Sequence, residues 1–290
     1  MIVLIKILSQ LPLSVLYLLS NFAKFILCHV FNYRKKVIES NLRNSFPDKT
    51  ESEIKILRNN FYGYFADIFI EFVKGYTITK AQILNRVIII GDEEVQKKLN
   101  LQQPVILVAG HQGNWEWAIH RLAFTNYTND IIYQKLSNKA FNQFTYDVRT
   151  KFAGIHLLEK RESVILTRDR RSIPRAVCLL SDQAPQKPDS AFWTSFLNQD
   201  TAFFTGVERF AREYQYPVFY VELIRKKRGY YEMKYELLAD LPFEKIPKGE
   251  IIQRFAKKLE DSVNKYPEQY LWSHRRWKHA RPEKLNIKWD

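Results

Sequence analysis

Only two cysteines occur in 290 residues, so no disulfide framework is available; Cys28 and Cys178 both lie in apolar runs, as buried thiols of a reducing compartment do. Neither a Cys cluster nor a His-Glu-x-x-His pattern is present, which removes the usual zinc spacings. There is no internal repeat and no low-complexity linker, and at this length one large domain with a substantial core is the natural count. Negative charge is the scarcer sign: 31 Asp and Glu face 45 Lys and Arg, a net +14. Such a surface seeks anionic partners: nucleic acid, an acidic membrane or an acidic protein. A hydrophobic fraction of 46% and an aromatic fraction of 14% exclude disorder.

What is present begins with an apolar N-terminus, residues 1–32. It is long enough to cross a bilayer, which takes about 20 apolar residues. Lys6, Asn21, Lys24 and His29 interrupt it, which also fits a helix lying in the interface, with one buried in a soluble core as the lesser alternative. No small-residue cleavage site marks a signal peptide. Arg34, Lys35 and Lys36 follow, and by the positive-inside tendency residues 33–290 belong on the cytoplasmic side.

Thr50 and Glu53 form a capping-box signature, and the helix they open extends to about Lys74, with Ile54, Leu57, Phe61, Phe65, Ile68 and Phe72 at helical spacings. Short apolar strands are expected at 87–90, 105–109, 130–134, 155–158 and 176–180, with helical stretches at 138–152 and 163–171. This alternation predicts an α/β fold with a mainly parallel central sheet flanked by helices. Residues 186–201 read as a long loop, 217–224 and 230–237 as a hairpin, and 249–266 as an amphipathic helix.

The chemistry concentrates between Pro104 and Trp117. A buried strand ends at Gly110, His111 follows at once, and Glu116 falls in the first turn of the next helix. Five residues do not align on a regular helix, so His111 and Glu116 meet only if the chain turns, as Gly113 permits. A carboxylate on one imidazole nitrogen would leave the other to take a proton from a hydroxyl. Backbone amides at Gly113 and Asn114, opening a helix, are candidates to hold an oxyanion. No nucleophilic serine or cysteine stands in the motif, so the pattern fits direct acyl transfer. A structural hydrogen bond, or two unrelated neighbours, is the plain alternative.

The stretch Gly110-His-Gln-Gly-Asn-Trp-Glu116 resembles the lipid A biosynthesis acyltransferases. These secondary (lauroyl/myristoyl) enzymes are related to the glycerolipid acyltransferases, which usually carry Asp where Glu116 stands. Arg34–Pro47, Arg149 with Gly154, Asp182-Gln183 and Tyr270-Leu-Trp-Ser-His-Arg-Arg-Trp-Lys278 are similar to further blocks of that family, whereas Phe196-Leu-Asn198 departs from its Phe-Phe-Gly. The resemblance implies a membrane-anchored enzyme that moves a fatty acyl chain from acyl carrier protein to a hydroxyl of a lipid A precursor. It implies His111 and Glu116 as catalytic residues and Arg149, Asp182 and Gln183 as residues lining the site. It implies no metal or organic cofactor, no nucleic acid partner, and a place at the bacterial inner membrane facing the cytoplasm. The runners-up are acyl transfer to another glycolipid or lysophospholipid, and a lipid-binding protein without activity. The aromatic and basic tail, Trp272 to Lys278, suits phosphate contact or a membrane interface.

Overall fold

The computed structural model describes residues 2–289. The N-terminus is broken at Pro12 into α1 (Ile2–Ser9) and α2 (Leu13–Phe25), the latter continued by a π-helical turn, Ile26–Val30. Proline cannot donate the next helical hydrogen bond, which is why one apolar stretch becomes two helices. There follow α3 (Lys35–Ser45), α4 (Glu51–Gly75), α5 (Lys80–Arg86), β1 (Val87–Ile90), α6 (Glu93–Asn100), β2 (Val105–Ala109), α7 (Trp115–Leu122), β3 (Thr128–Tyr133) and α8 (Lys139–Arg149). The second half holds β4 (Ile155–Glu159), α9 (Ser163–Asp169), β5 (Arg175–Leu180), β6 (Phe192–Phe196), β7 (Gln199–Phe203), α10 (Gly206–Tyr214), β8 (Val218–Lys227), β9 (Tyr230–Ala239) and α11 (Glu250–Lys265).

Seven strands form one sheet in the order β1-β9-β8-β2-β5-β3-β4. Every neighbouring pair is parallel except β8 and β9, the hairpin read from the sequence. The expected α/β sheet flanked by helices is therefore the observed one. The stretch read as a loop at 186–201 instead contains a separate hairpin, β6–β7. Its turn uses Leu197 and Asn198 at positive φ, residues without the Gly signal that marks most hairpins.

The Thr50–Glu53 capping box is formed, and α4 runs for 25 residues beneath the N-terminal helices. Helix α2 lies along it: Leu13, Leu16 and Ser20 are buried, Ser20 Oγ donates to Asp67 at 2.6 Å, and Tyr17 OH donates to Glu71 at 2.7 Å. Lys74 Nζ donates to the carbonyls of Ser9 and Leu11, tying the α1–α2 corner to the same helix. The opposite face of these helices exposes Val3, Leu4, Ile7, Leu18, Phe22 and Phe25, each more than half accessible.

Candidate active site

Strands β8, β2 and β5 are adjacent and parallel, so their carboxyl ends open on one edge, where open α/β sheets place their sites. His111 leaves β2 there, and Asp182 and Gln183 leave β5 beside it. His111 Nδ1 and Asp182 Oδ1 are 2.6 Å apart, and the other carboxylate oxygen accepts the His111 backbone N–H at 3.0 Å. An ionised carboxylate only accepts, so Nδ1 carries the proton and Nε2 holds the lone pair. Gln183 Nε2 lies 3.2 Å from that nitrogen and donates to it.

Asp182 is 2% exposed. Burial raises its carboxyl, but the His111 imidazole with its two hydrogen bonds, and Arg276 behind, hold it below the usual carboxylate range. The other histidines packed nearby do not compete as bases. Burial takes His120 and His274 down to about 4 each, and His274 Nε2 already accepts the Ala184 N–H at 3.0 Å. Among the described residues His111 is the histidine with a carboxylate partner, and its ring is partly accessible.

The sequence-based pairing of His111 with Glu116 is corrected here: the carboxylate on the imidazole is Asp182, not Glu116. Once α7 begins, Glu116 turns away and is clamped by Arg149 of α8, with Nε to Oε2 at 2.9 Å and Nη2 to Oε1 at 2.6 Å. Burial raises the Glu116 carboxyl and the Arg149 guanidinium more than offsets it, so the group stays ionised. Glu116 reaches the site through a neighbour. It accepts the Trp115 indole N–H at 3.1 Å, and that indole sits edge-on to the His111 ring with centroids 5.2 Å apart. Arg149, expected on substrate, is thus engaged with Glu116.

Gly113 and Asn114 are both buried. Asn114 caps α7 by accepting the Trp117 N–H at 2.9 Å and donates its amide to Glu71 at 2.5 Å. Gly113 has φ +61°, its carbonyl accepts from Tyr64 OH, and a Cβ there would strike the Leu223 carbonyl of β8. The Asn114 side chain and the Gly113 carbonyl are thus spent on shaping the turn. Gly113→Ala should therefore cost about 3 kcal/mol of stability, because it adds both a strained φ and a backbone clash. Urea denaturation that leaves the midpoint unchanged would disprove this.

The tail is partly interior, with Arg275 and Lys278 exposed and Trp272 and Arg276 buried. Trp272 is fully buried, and Arg276 is 2% exposed, its guanidinium 4.5 Å from the Phe203 ring centroid with no hydrogen-bond partner among the described residues. Its charge reaches Asp182 and Tyr270. The sequence suggests phosphate contact or a membrane interface for this arginine, and its placement among aromatic residues is the signal for burial. Among the described residues no group of three metal-ligating side chains occurs.

A histidine whose Nδ1 is held by a buried carboxylate, at the carboxyl edge of a parallel sheet, is the arrangement of a group built to move a proton. The chain belongs to the bacterial lipid A biosynthesis acyltransferase family, whose model matches residues 1–279. It is an acyltransferase whose family implies an acyl donor and a lipid A or glycolipid acceptor. No curated protein matches it.

Proposed function

We propose that the protein transfers a fatty acyl group from an acyl carrier protein thioester to a hydroxyl of a lipid A precursor, with His111 as general base and Asp182 as the residue that orients it. The observation that carries this reading is the 2.6 Å bond between His111 Nδ1 and Asp182. The acceptor hydroxyl gives its proton to Nε2 as its oxygen attacks the thioester carbonyl carbon. The tetrahedral intermediate then expels the thiolate, which takes the proton back from the imidazolium. Gln183, now on Nε2, yields that place to the hydroxyl and offers its amide N–H to the developing oxyanion. The Arg149–Glu116 pair supports Trp115, the wall against which the imidazole rests. A net charge of +14 favours an acidic carrier protein and a phosphorylated acceptor.

The same proposal places the protein on the cytoplasmic face of a bacterial inner membrane, with α1 and α2 lying in the interface rather than crossing it. Residues 13–30 are apolar and long enough to span. Yet polar bonds join α1 and α2 to α4 from Ser9 to Ser20, and crossing the bilayer would strip them. The exposed apolar face is left to contact lipid.

Acyl transfer in detergent tests the chemistry. His111→Ala should lower kcat by about 10²–10⁴-fold with the fold and vesicle binding retained. Full activity in that variant would refute the mechanism. Product with lysophospholipid but not with a lipid A precursor would keep the chemistry and replace the acceptor.

A further inference from the structure

Beside the site, α2, α4 and the β8–β9 hairpin enclose a cavity of about 390 Å³. Its lining carries three cations, Lys24, Arg225 and Arg228, against two carboxylates, Asp67 and Glu268. Asp67 is 4% exposed and organises the cavity. It accepts from Arg225 at 2.9 Å, from Arg228 Nε at 3.0 Å and from Ser20 at 2.6 Å. Three cations against two carboxylates leave one positive charge to spare, and the bonds to Asp67 fix both guanidiniums in place. Lys24 closes the opposite wall with its ammonium against Gly63, and no carboxylate pairs with it among the described residues. Amide groups of Asn21 and Asn60 complete the lining.

The position matters as much as the charge. Val108 of β2 is level with Tyr220 of β8, so His111 is level with Leu223 and Arg225 lies two residues further out on the adjacent strand. The cavity therefore opens on the same sheet edge as the imidazole, roughly 10 Å away by strand spacing. Tyr64 joins the two: its ring lines the cavity, Arg225 stacks on it at 5.5 Å, and its hydroxyl donates to the Gly113 carbonyl. Helix α2, which supplies Lys24 and Asn21, exposes Leu18, Phe22 and Phe25 away from the domain. A headgroup at the depth of that helix would meet the cavity directly.

We propose that this cavity binds a phosphate group carried on the acceptor lipid, holding the lipid so that its hydroxyl reaches His111. That the lipid is the acceptor rests on the function proposed above; the binding of a lipid phosphate does not. Arginine forks recognise phosphate oxygens in pairs, and the lysine adds a point charge on the third side.

The test uses the full chain and two vesicle compositions. One is phosphatidylcholine with 10 mol% phosphatidic acid, and the other is phosphatidylcholine with a carboxylate-headed lipid at matched surface charge. The wild type should be retained better on the phosphatidic acid vesicles. Lys24→Glu should abolish that preference, a loss of about tenfold for two units of charge, while the charge-matched Lys55→Glu keeps it. The Lys24 side chain makes no hydrogen bond or ion pair among the described residues, so its loss removes no structural bond there; Arg228→Lys, which keeps the charge and removes the fork, should fall between. Equal retention on both vesicles, or a preference that survives Lys24→Glu, would overturn the proposal. Saturable binding of inorganic phosphate with no preference between vesicles would also overturn it, in favour of a soluble ligand. In turnover, Lys24→Glu should raise KM for a phosphorylated acceptor about tenfold with kcat within about twofold, and leave KM for the dephosphorylated acceptor unchanged. Wild type that turns over no acceptor would refute the function above, and the vesicle comparison would still decide whether the cavity takes phosphate.

Discussion

Asp182→Asn is expected to lower kcat by about 10³–10⁴-fold while thermal stability and vesicle binding stay near those of the wild type. Asparagine matches the carboxylate in shape but can present an N–H to His111 Nδ1. The imidazole then turns over to its other tautomer and places its proton on Nε2, where the hydroxyl's proton must arrive. The backbone N–H of His111, which now donates to Oδ2 at 3.0 Å, holds the side chain in place and makes this a change of tautomer rather than of geometry. The contrast with Glu116→Gln separates the two carboxylates. That variant loses the Arg149 charge pair but keeps an acceptor for the Trp115 indole, so its effect on kcat should be the smaller one. If Glu116→Gln is the more damaging, Asp182 is not the partner that matters.

Glu71→Gln is expected to change the pH dependence of stability by roughly 3 kcal/mol across pH 4.5 to 8. Glu71 is fully buried on α4 and accepts from Tyr17 OH at 2.7 Å, Tyr231 OH at 2.6 Å and the Asn114 amide at 2.5 Å. No cation pairs with it among the described residues, and burial, aided by nearby Asp67, raises its carboxyl to about 7 against the lowering pull of those hydrogen bonds. The folded-state value lies above the unfolded one, so this group's contribution is fully present below about pH 4.5 and is lost as pH rises through 7. The wild type should therefore weaken relative to Glu71→Gln over that window and run parallel to it above pH 8. Denaturant midpoints at pH 5, 6, 7 and 8 read the difference directly. Curves parallel throughout would mean that Glu71 titrates like a solvated glutamate. The residue also joins three elements: α2 through Tyr17, strand β9 through Tyr231, and the cap of α7 through Asn114.

Much of this architecture was legible in one dimension. The apolar run 105–109 is buried on both faces of a central parallel strand, and such strands show as continuous hydrophobic stretches. The Thr50–Glu53 box and the hairpin around Gly229 carry their own local chemistry, and both formed as read. Strand β6 was missed because its turn runs through Leu197 and Asn198 and because Trp193 and Phe196 sit in a polar stretch that resembles a loop. Helices α3 and α5 were not singled out; Arg34 enters α3 at a positive φ without a side-chain cap, whereas α5 does carry a capping box, Thr79 with Gln82, that went unread.

The sequence by itself determined the strand–helix alternation, the family, and the exposure of His111 at a strand end, because all three follow from local periodicity and short motifs. Only the tertiary structure decided which carboxylate the histidine holds. Glu116 is five residues away, and Asp182 is 71 residues away on the neighbouring parallel strand, where the register of β2 with β5 brings it alongside. The same cause governs the buried Arg276, the two guanidiniums gathered on Asp67, and the bonds that lay α2 along α4. Each joins residues far apart in the chain, and strand order, not spacing, makes them neighbours.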